Sequence, residues 1–216
     1  MPRPSEESPY RLLVEGPDDQ FSVIHLMARH GFDWNDEASI RPLISSEGGI
    51  DKLLAATSVS LKGTYVRLGI ILDANSDPAH RWAQVRDRAR RADLNLPDSP
   101  QPEGTIIHGH RPGSRIGFWL MPDNKSLGAL EHFLGSLVPS GHPIWIYADE
   151  VTTQARKRGA SCKEKDHAKS VLHTWLAWQD EPGLPFGIAL KAGFFETDNE
   201  NALRFVSWFN RLFVDT

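Results

Sequence analysis

Thiols are almost absent from this chain. Cys162 is the one cysteine in 216 residues, so no intrachain disulfide braces the fold and the reducing cytoplasm is the expected compartment. Nothing at the N-terminus resembles the apolar stretch of a signal peptide, and no run approaches the ~20 apolar residues of a membrane span. A Gly-x-Ser-x-Gly elbow is missing, which removes the commonest serine-hydrolase arrangement. So is a Gly-x-x-x-x-Gly-Lys-Ser/Thr loop, which removes P-loop nucleotide hydrolysis. No internal repeat occurs. An excess of positive charge is lacking too: the formal net charge is −4, which argues against indiscriminate polyanion binding through the overall field while allowing a local basic surface.

What is there is an ordinary globular composition, 40% hydrophobic and 24% charged, long enough for one large domain or a domain with an appendage. Residues 1 to 9, rich in Pro, Ser and Glu, are expected to form a flexible leader. Tyr10 to Val14 reads as a short buried strand. Pro17-Asp18-Asp19 supplies turn chemistry and negative charge at a helix start, with Asp19 a cap or a supporting residue, and Phe21, Ile24, Leu26 and Met27 form the apolar face of that helix. Ile40 to Ile44 predicts a second strand, and Ile50, Leu53, Leu54 and Val59 a second helix. Val66 to Leu72 predicts a third strand, apolar enough to be covered on both faces. Pro78 opens a basic helix to about Ala92.

Thr105 to His108 and Arg115 to Met121 predict a hairpin, and Leu127, Leu130, Phe133, Leu134 and Leu137 an amphipathic helix. Past Pro139, Ile144 to Tyr147 predicts one more short strand. Leu172 to Trp178 and Leu203 to Leu212 predict helices, with Trp175 and Trp178 on a buried stripe. Strands alternating with helices make the class α/β: an open, mostly parallel sheet flanked by helices over residues 10 to 138. A helical extension over residues 139 to 216 is expected to pack on the same domain.

Two of the apolar runs stop at an acid, Leu12-Leu13-Val14-Glu15 and Ile70-Ile71-Leu72-Asp73-Ala74-Asn75. Acids at the carboxyl ends of strands in an open α/β sheet can converge on one ligand although they lie far apart in sequence. Mg²⁺ seeks oxygen ligands, keeps several waters and often takes only one or two protein carboxylates plus substrate phosphate. Glu15 and Asp73 form a minimal core for such an ion. Asn75 adds a neutral ligand on the same side if the strand continues, and Asp123 and Glu131 are outer candidates. The plainer reading of each acid is a turn residue or a helix cap.

Leu13-Val14-Glu15-Gly16-Pro17-Asp18-Asp19 and Ile71-Leu72-Asp73-Ala74-Asn75 resemble the Toprim domain. That fold is shared by topoisomerases, bacterial primases, ribosomal-RNA maturases and the overcoming-lysogenization-defect nucleases, and is marked by a glutamate after the first strand and Asp-x-Asp after a later one. Trp119 to Asn124 with Gly128 to Leu134, and His173 to Gln179 with Pro182-Gly183, resemble a small uncharacterised family of stand-alone Toprim-like proteins. The resemblance implies that Glu15 binds metal or acts as general acid/base and that Asp73 is the first metal-binding aspartate. Asn75 departs from the pattern, placing a neutral amide where many Toprim enzymes carry a second carboxylate. Glu131, in a place resembling a helical Gly-x-Leu-Glu segment of nuclease-type Toprim domains, is the residue that restores it.

The implied activity is a Mg²⁺-dependent nuclease on DNA or RNA, with Mn²⁺ as an alternative ion. The rival is a catalytically weak module that binds nucleic acid, a nucleotide or a protein partner as a regulator, and self-association is compatible with either. Tyr10, Tyr65 and Tyr147 all have ordinary core or surface explanations, so no topoisomerase nucleophile is nominated. Arg81, Arg86 and Arg88 of the basic helix, with Lys191, are the expected phosphate contacts, and Arg156-Lys157-Arg158 with Lys163 and Lys165 is a second basic cluster; the plainer reading of both is a solvated surface. His108 and His110 read as loop histidines, because two imidazoles alone do not complete a zinc site.

Overall fold

Alternation of buried side chains along the strands organises the molecule into three layers. The structure is a computed structural model describing residues 8–36 and 40–215, so residues 1 to 7 of the expected leader lie outside the described residues. In chain order the elements are β1 (Tyr10–Val14), α1 (Pro17–Arg29), β2 (Leu43–Ser46), α2 (Ile50–Ser60), β3 (Arg67–Asp73), α3 (Pro78–Arg90), β4 (Thr105–His108), β5 (Arg115–Met121), α4 (Leu130–Ser136), α5 (Pro143–Lys157), α6 (His167–Leu176), α7 (Phe186–Ala192) and α8 (Glu200–Phe213). Five strands form one sheet in the order β2-β1-β3-β5-β4. All neighbours are parallel except β4, which runs antiparallel to β5 as a hairpin. The class is α/β, with a mostly parallel sheet flanked by helices.

Successive strand residues point to opposite faces. Leu13, Leu68, Ile70, Leu72, Phe118 and Leu120 bury against Leu53 and Leu54 of α2 and Trp82, Val85 and Ala89 of α3. Leu12, Val14, Ile71, Trp119 and Met121 face the other way, into a larger core with α1, α4 and α6 to α8. The C-terminal helices therefore complete the second face of the sheet. Two glycines let α8 settle there. Gly69 and Gly117 are cross-strand partners on β3 and β5, and a Cβ on Gly117 would lie 2.5 Å from Leu212 Cδ2, while one on Gly69 would lie 3.1 Å from Phe213 Cζ.

Several expectations need correcting. Ile144 to Tyr147 is the first turn of α5, not a strand: Pro143 opens the helix, and Trp145 packs edge-on against Trp175 with ring centroids 5.9 Å apart. A four-residue apolar run carries no period long enough to separate the two conformations. The second strand is displaced to Leu43–Ser46. Phe21, Val59 and Leu127 are exposed, since the inward stripe of α1 runs through Val23, Leu26 and Met27, and α4 begins only at Leu130. Trp175 is buried as expected, but Trp178 lies beyond the end of α6, exposed and stacked on Tyr147 at 5.5 Å. No helix among the described residues is long and apolar enough to cross a membrane.

Gly117→Ala is expected to destabilise the protein by about 1–3 kcal/mol through overpacking. Leu212→Ala added to it should cost less than the sum of the two single changes, because the smaller side chain vacates the space the new methyl enters. Denaturant midpoints of the three variants measure this, and simple additivity would count against the close approach of α8.

Candidate functional site

Glu15 and Asp73 meet because β1 and β3 are parallel neighbours, with Leu13 opposite Ile70. The chain holds each by its backbone. The Glu15 carbonyl accepts the N–H groups of Gly48 and Gly49, both at 2.9 Å, and these residues sit at φ +80° and +113°, conformations that glycine adopts without strain. The Asp73 carbonyl accepts Arg81 Nε–H at 2.9 Å. The side chains are then oriented by single contacts: Glu15 Oε1 accepts the backbone N–H of Asp73 at 3.1 Å, and Asp73 Oδ1 accepts the Leu130 N–H at 3.2 Å, where α4 begins. Among the described residues no hydrogen bond engages the second oxygen of either carboxylate.

Four acids share this corner. Burial, followed by the charges of Glu15, Asp19 and Glu131, pushes the Asp73 carboxyl up to about 9. Asp19 is pushed up to about 7, again by burial first and Glu15 second. Burial raises Glu15 as well, opposed by the Asp73 N–H and the Arg81 guanidinium. Asp19 also accepts the Gly16 N–H at 3.0 Å on Oδ2, so it caps α1 and belongs to the acidic cluster at once.

Asp73 opens onto a cleft of about 520 Å³ whose walls include Asn75, Glu131, His132, Lys165 and Lys169. Lys169 Nζ lies 3.4 Å from Glu131 Oε1, and His132 Nδ1 accepts the Ala129 N–H at 3.2 Å. The strand does not continue to Asn75, which takes a left-handed φ of 55° and bridges Gly128 through two backbone hydrogen bonds of 2.6 and 2.8 Å. Asparagine, like aspartate, tolerates that conformation better than most residues, which accounts for a short polar side chain at this position.

Other expected site residues are placed elsewhere. The Asp123 carboxylate folds back on its own loop, taking the Lys125 and Ser126 N–H groups at 3.0 and 2.6 Å and the Ser126 hydroxyl at 2.8 Å, contacts that hold its proton affinity below the usual range against the effect of burial. Arg86 pairs with Asp98 at 2.6 Å. Arg88 donates to the carbonyls of Leu54 and Gln84 at 3.0 and 2.9 Å, tying α3 to α2. Lys191 borders a different pocket, on α1. Only Arg81 of the expected phosphate contacts lies at the acidic corner. Arg156 of the second basic cluster pairs with Glu164. Asp19, expected as a cap or a supporting residue, is both, and Lys169 joins the site without having been assigned to it; Lys165 and Lys169, four apart, carried a faint helical signal.

Among the described residues no group of three His, Cys, Asp or Glu side chains forms a ready metal cage. The donor set nevertheless suits a Mg²⁺-type ion, which needs one or two carboxylates and completes its shell with water and substrate oxygen. Glu15 and Asp73 each hold one oxygen by hydrogen bonding and leave one uncommitted, in a corner where mutual repulsion favours a cation.

The comparisons with known proteins carry a family and no function. Residues 9–214 match the family described as "Protein of unknown function (DUF3226)". The chain belongs to this DUF3226 family. No curated protein and no solved structure matches it. For this DUF3226 chain the site's own chemistry is therefore the guide.

Folding raises the proton affinity of Asp73 from 3.8 to about 9, so over that window the folded state keeps a proton that the unfolded chain has lost. Stability then falls as pH rises. In chelator-treated protein, Asp73→Asn should raise Tm by about 2–4 °C per kcal/mol relieved, with a larger gain at pH 8 than at pH 5. Thermal melts at both values measure it. A variant no more stable than the parent at pH 8 would contradict the crowding.

Proposed function

We propose that this DUF3226 protein is a Toprim-like phosphodiesterase that hydrolyses DNA or RNA with Mg²⁺, or Mn²⁺ in its place. The observation that supports it is the pairing of Glu15 with Asp73, each with a free oxygen, where Asp73 lines a cleft that also presents Lys165 and Lys169. Glu15 and Asp73 would hold the ion, with Glu131, which lines the same cleft as Asp73, as an additional carboxylate. When bound, such an ion supplies Lewis-acid stabilisation of the charge on a phosphate. The raised proton affinity of Glu15 suits it to accept a proton from the attacking water. Lys165 and Lys169 offer point charges to a phosphodiester entering the cleft. Arg81, anchored on the Asp73 carbonyl, keeps Glu15 from protonating further.

The rival reading, a module that binds nucleic acid or a protein partner without cleaving, is favoured by Asn75, a neutral amide where a second carboxylate would add charge to hold a cation.

Labelled DNA and RNA incubated with Mg²⁺ or Mn²⁺ separate the two. Glu15→Gln and Asp73→Asn should each reduce cleavage at least about 100-fold, in line with the loss of a proton-transfer or charge-stabilising group. Lys169→Ala should act mainly on KM. Cleavage indifferent to both acidic substitutions would overturn the proposal, and binding without cleavage on every substrate would favour the rival.

A further inference from the structure

A second pocket, of about 360 Å³, lies along the later half of α1. At 1.5 Å per residue, Arg29 is about 18 Å along the helix from Pro17, which separates this pocket from the acidic corner where α1 begins. Phe32 and Trp34 form one wall, and His25, Arg29, Asp33 and Lys191 stand around it. The wall is rigid. Trp34 Nε1–H donates to the Ile24 carbonyl at 2.9 Å, the Phe32 and Trp34 rings meet edge to face at 4.6 Å, and both rest on Phe209 at 5.2 and 6.1 Å.

Lys191 is brought beside Arg29 of α1 by close packing of α7 on α1. A Cβ on Gly187 would come within 2.7 Å of Phe21, so only glycine allows the approach that sets Lys191 beside His25. Gly193, at φ +86°, turns the chain past the Arg29 guanidinium, 3.4 Å from where a Cβ would stand. Neither Arg29 nor Lys191 takes part in an ion pair among the described residues. Asp33 turns one oxygen to its own loop, where Oδ1 accepts the Asn35 N–H at 2.8 Å. Burial, then the Lys191 charge, lowers the proton affinity of His25.

An aromatic wall, two cations without an ion-pair partner among the described residues and a volume in the range of small-molecule sites describe a ligand with both a ring and a negative charge. We infer that this pocket binds a flat aromatic anion of about nucleoside-monophosphate size, its ring against Phe32 and Trp34 and its anionic group between Arg29 and Lys191. The inference does not depend on the phosphodiesterase reading, since it uses none of the same residues.

Titration calorimetry on the full chain tests it, with adenosine 5′-monophosphate and 2-naphthoate as probes and adenosine and inorganic phosphate as their separated halves. At least one probe should bind at one equivalent per chain and at least tenfold more tightly than adenosine or phosphate alone. Which probe binds tells a phosphate ligand from a carboxylate one. Arg29→Gln and Lys191→Gln, both exposed positions, should each weaken it at least tenfold, while Asp73→Asn leaves it unchanged. Failure of both probes to bind, equal binding by either half alone, survival in both charge variants, or loss in Asp73→Asn would overturn the inference.

Discussion

Parallel pairing of β1 with β3 forces Glu15 and Asp73 into one hydrogen-bonded corner, and much of the surrounding structure answers that crowding. Two partly buried carboxylates in one corner repel, and Asp19 and Glu131 add to the field. The corner holds because backbone groups are directed into it: the Asp73 N–H on Glu15, the Leu130 N–H on Asp73, the Gly16 N–H on Asp19. Arg81 brings the compensating positive charge from α3. Buried charge is tolerated only where polar groups or counter-ions meet it. Here the compensation is partial, and that leaves the corner receptive to a cation.

The same sheet that brings the acids together depends on a part of the chain far from them. Leu212 and Trp208 of α8 rest on the Gly69–Gly117 pair and close the face opposite α2 and α3. Parallel strands require cover on both sides, so the last helix belongs to the layer structure that presents Glu15 and Asp73. The glycines serve by lacking a side chain at a contact between helix and sheet. Gly187 serves the contact between α1 and α7 in the same way, and there it places a lysine beside a histidine.

Residue patterns made most of the sheet legible. Long apolar strands bounded by turn residues were readable at β1, β3 and the β4–β5 hairpin, and Pro78 announced α3. The short run at Ile144 was ambiguous in period and became helix because Pro143 opens one and Trp145 finds Trp175. Trp178 followed the spacing of a buried stripe, yet α6 ends at Leu176 and the ring lies outside. At the site, strand-end logic paired Glu15 with Asp73, and Glu131 was offered as an outer candidate and by the family resemblance. It gave no warning that Asp123 would spend its oxygens on its own loop, or that Arg86 and Arg88 would be occupied by Asp98 and by backbone carbonyls.

Chain order and residue type were sufficient for the α/β class, the strand-end acids and the basic character of α3, because alternation, turn chemistry and charge are local properties. Which acids share a field, which arginines are occupied and what position 75 bridges are questions of proximity. Asp19 joins the cluster through the start of α1, Lys169 reaches Glu131 from α6, and Asn75 bends left-handed to meet Gly128. Each of these depends on segments distant in sequence or on a backbone angle that folding imposes, and no local pattern encodes either.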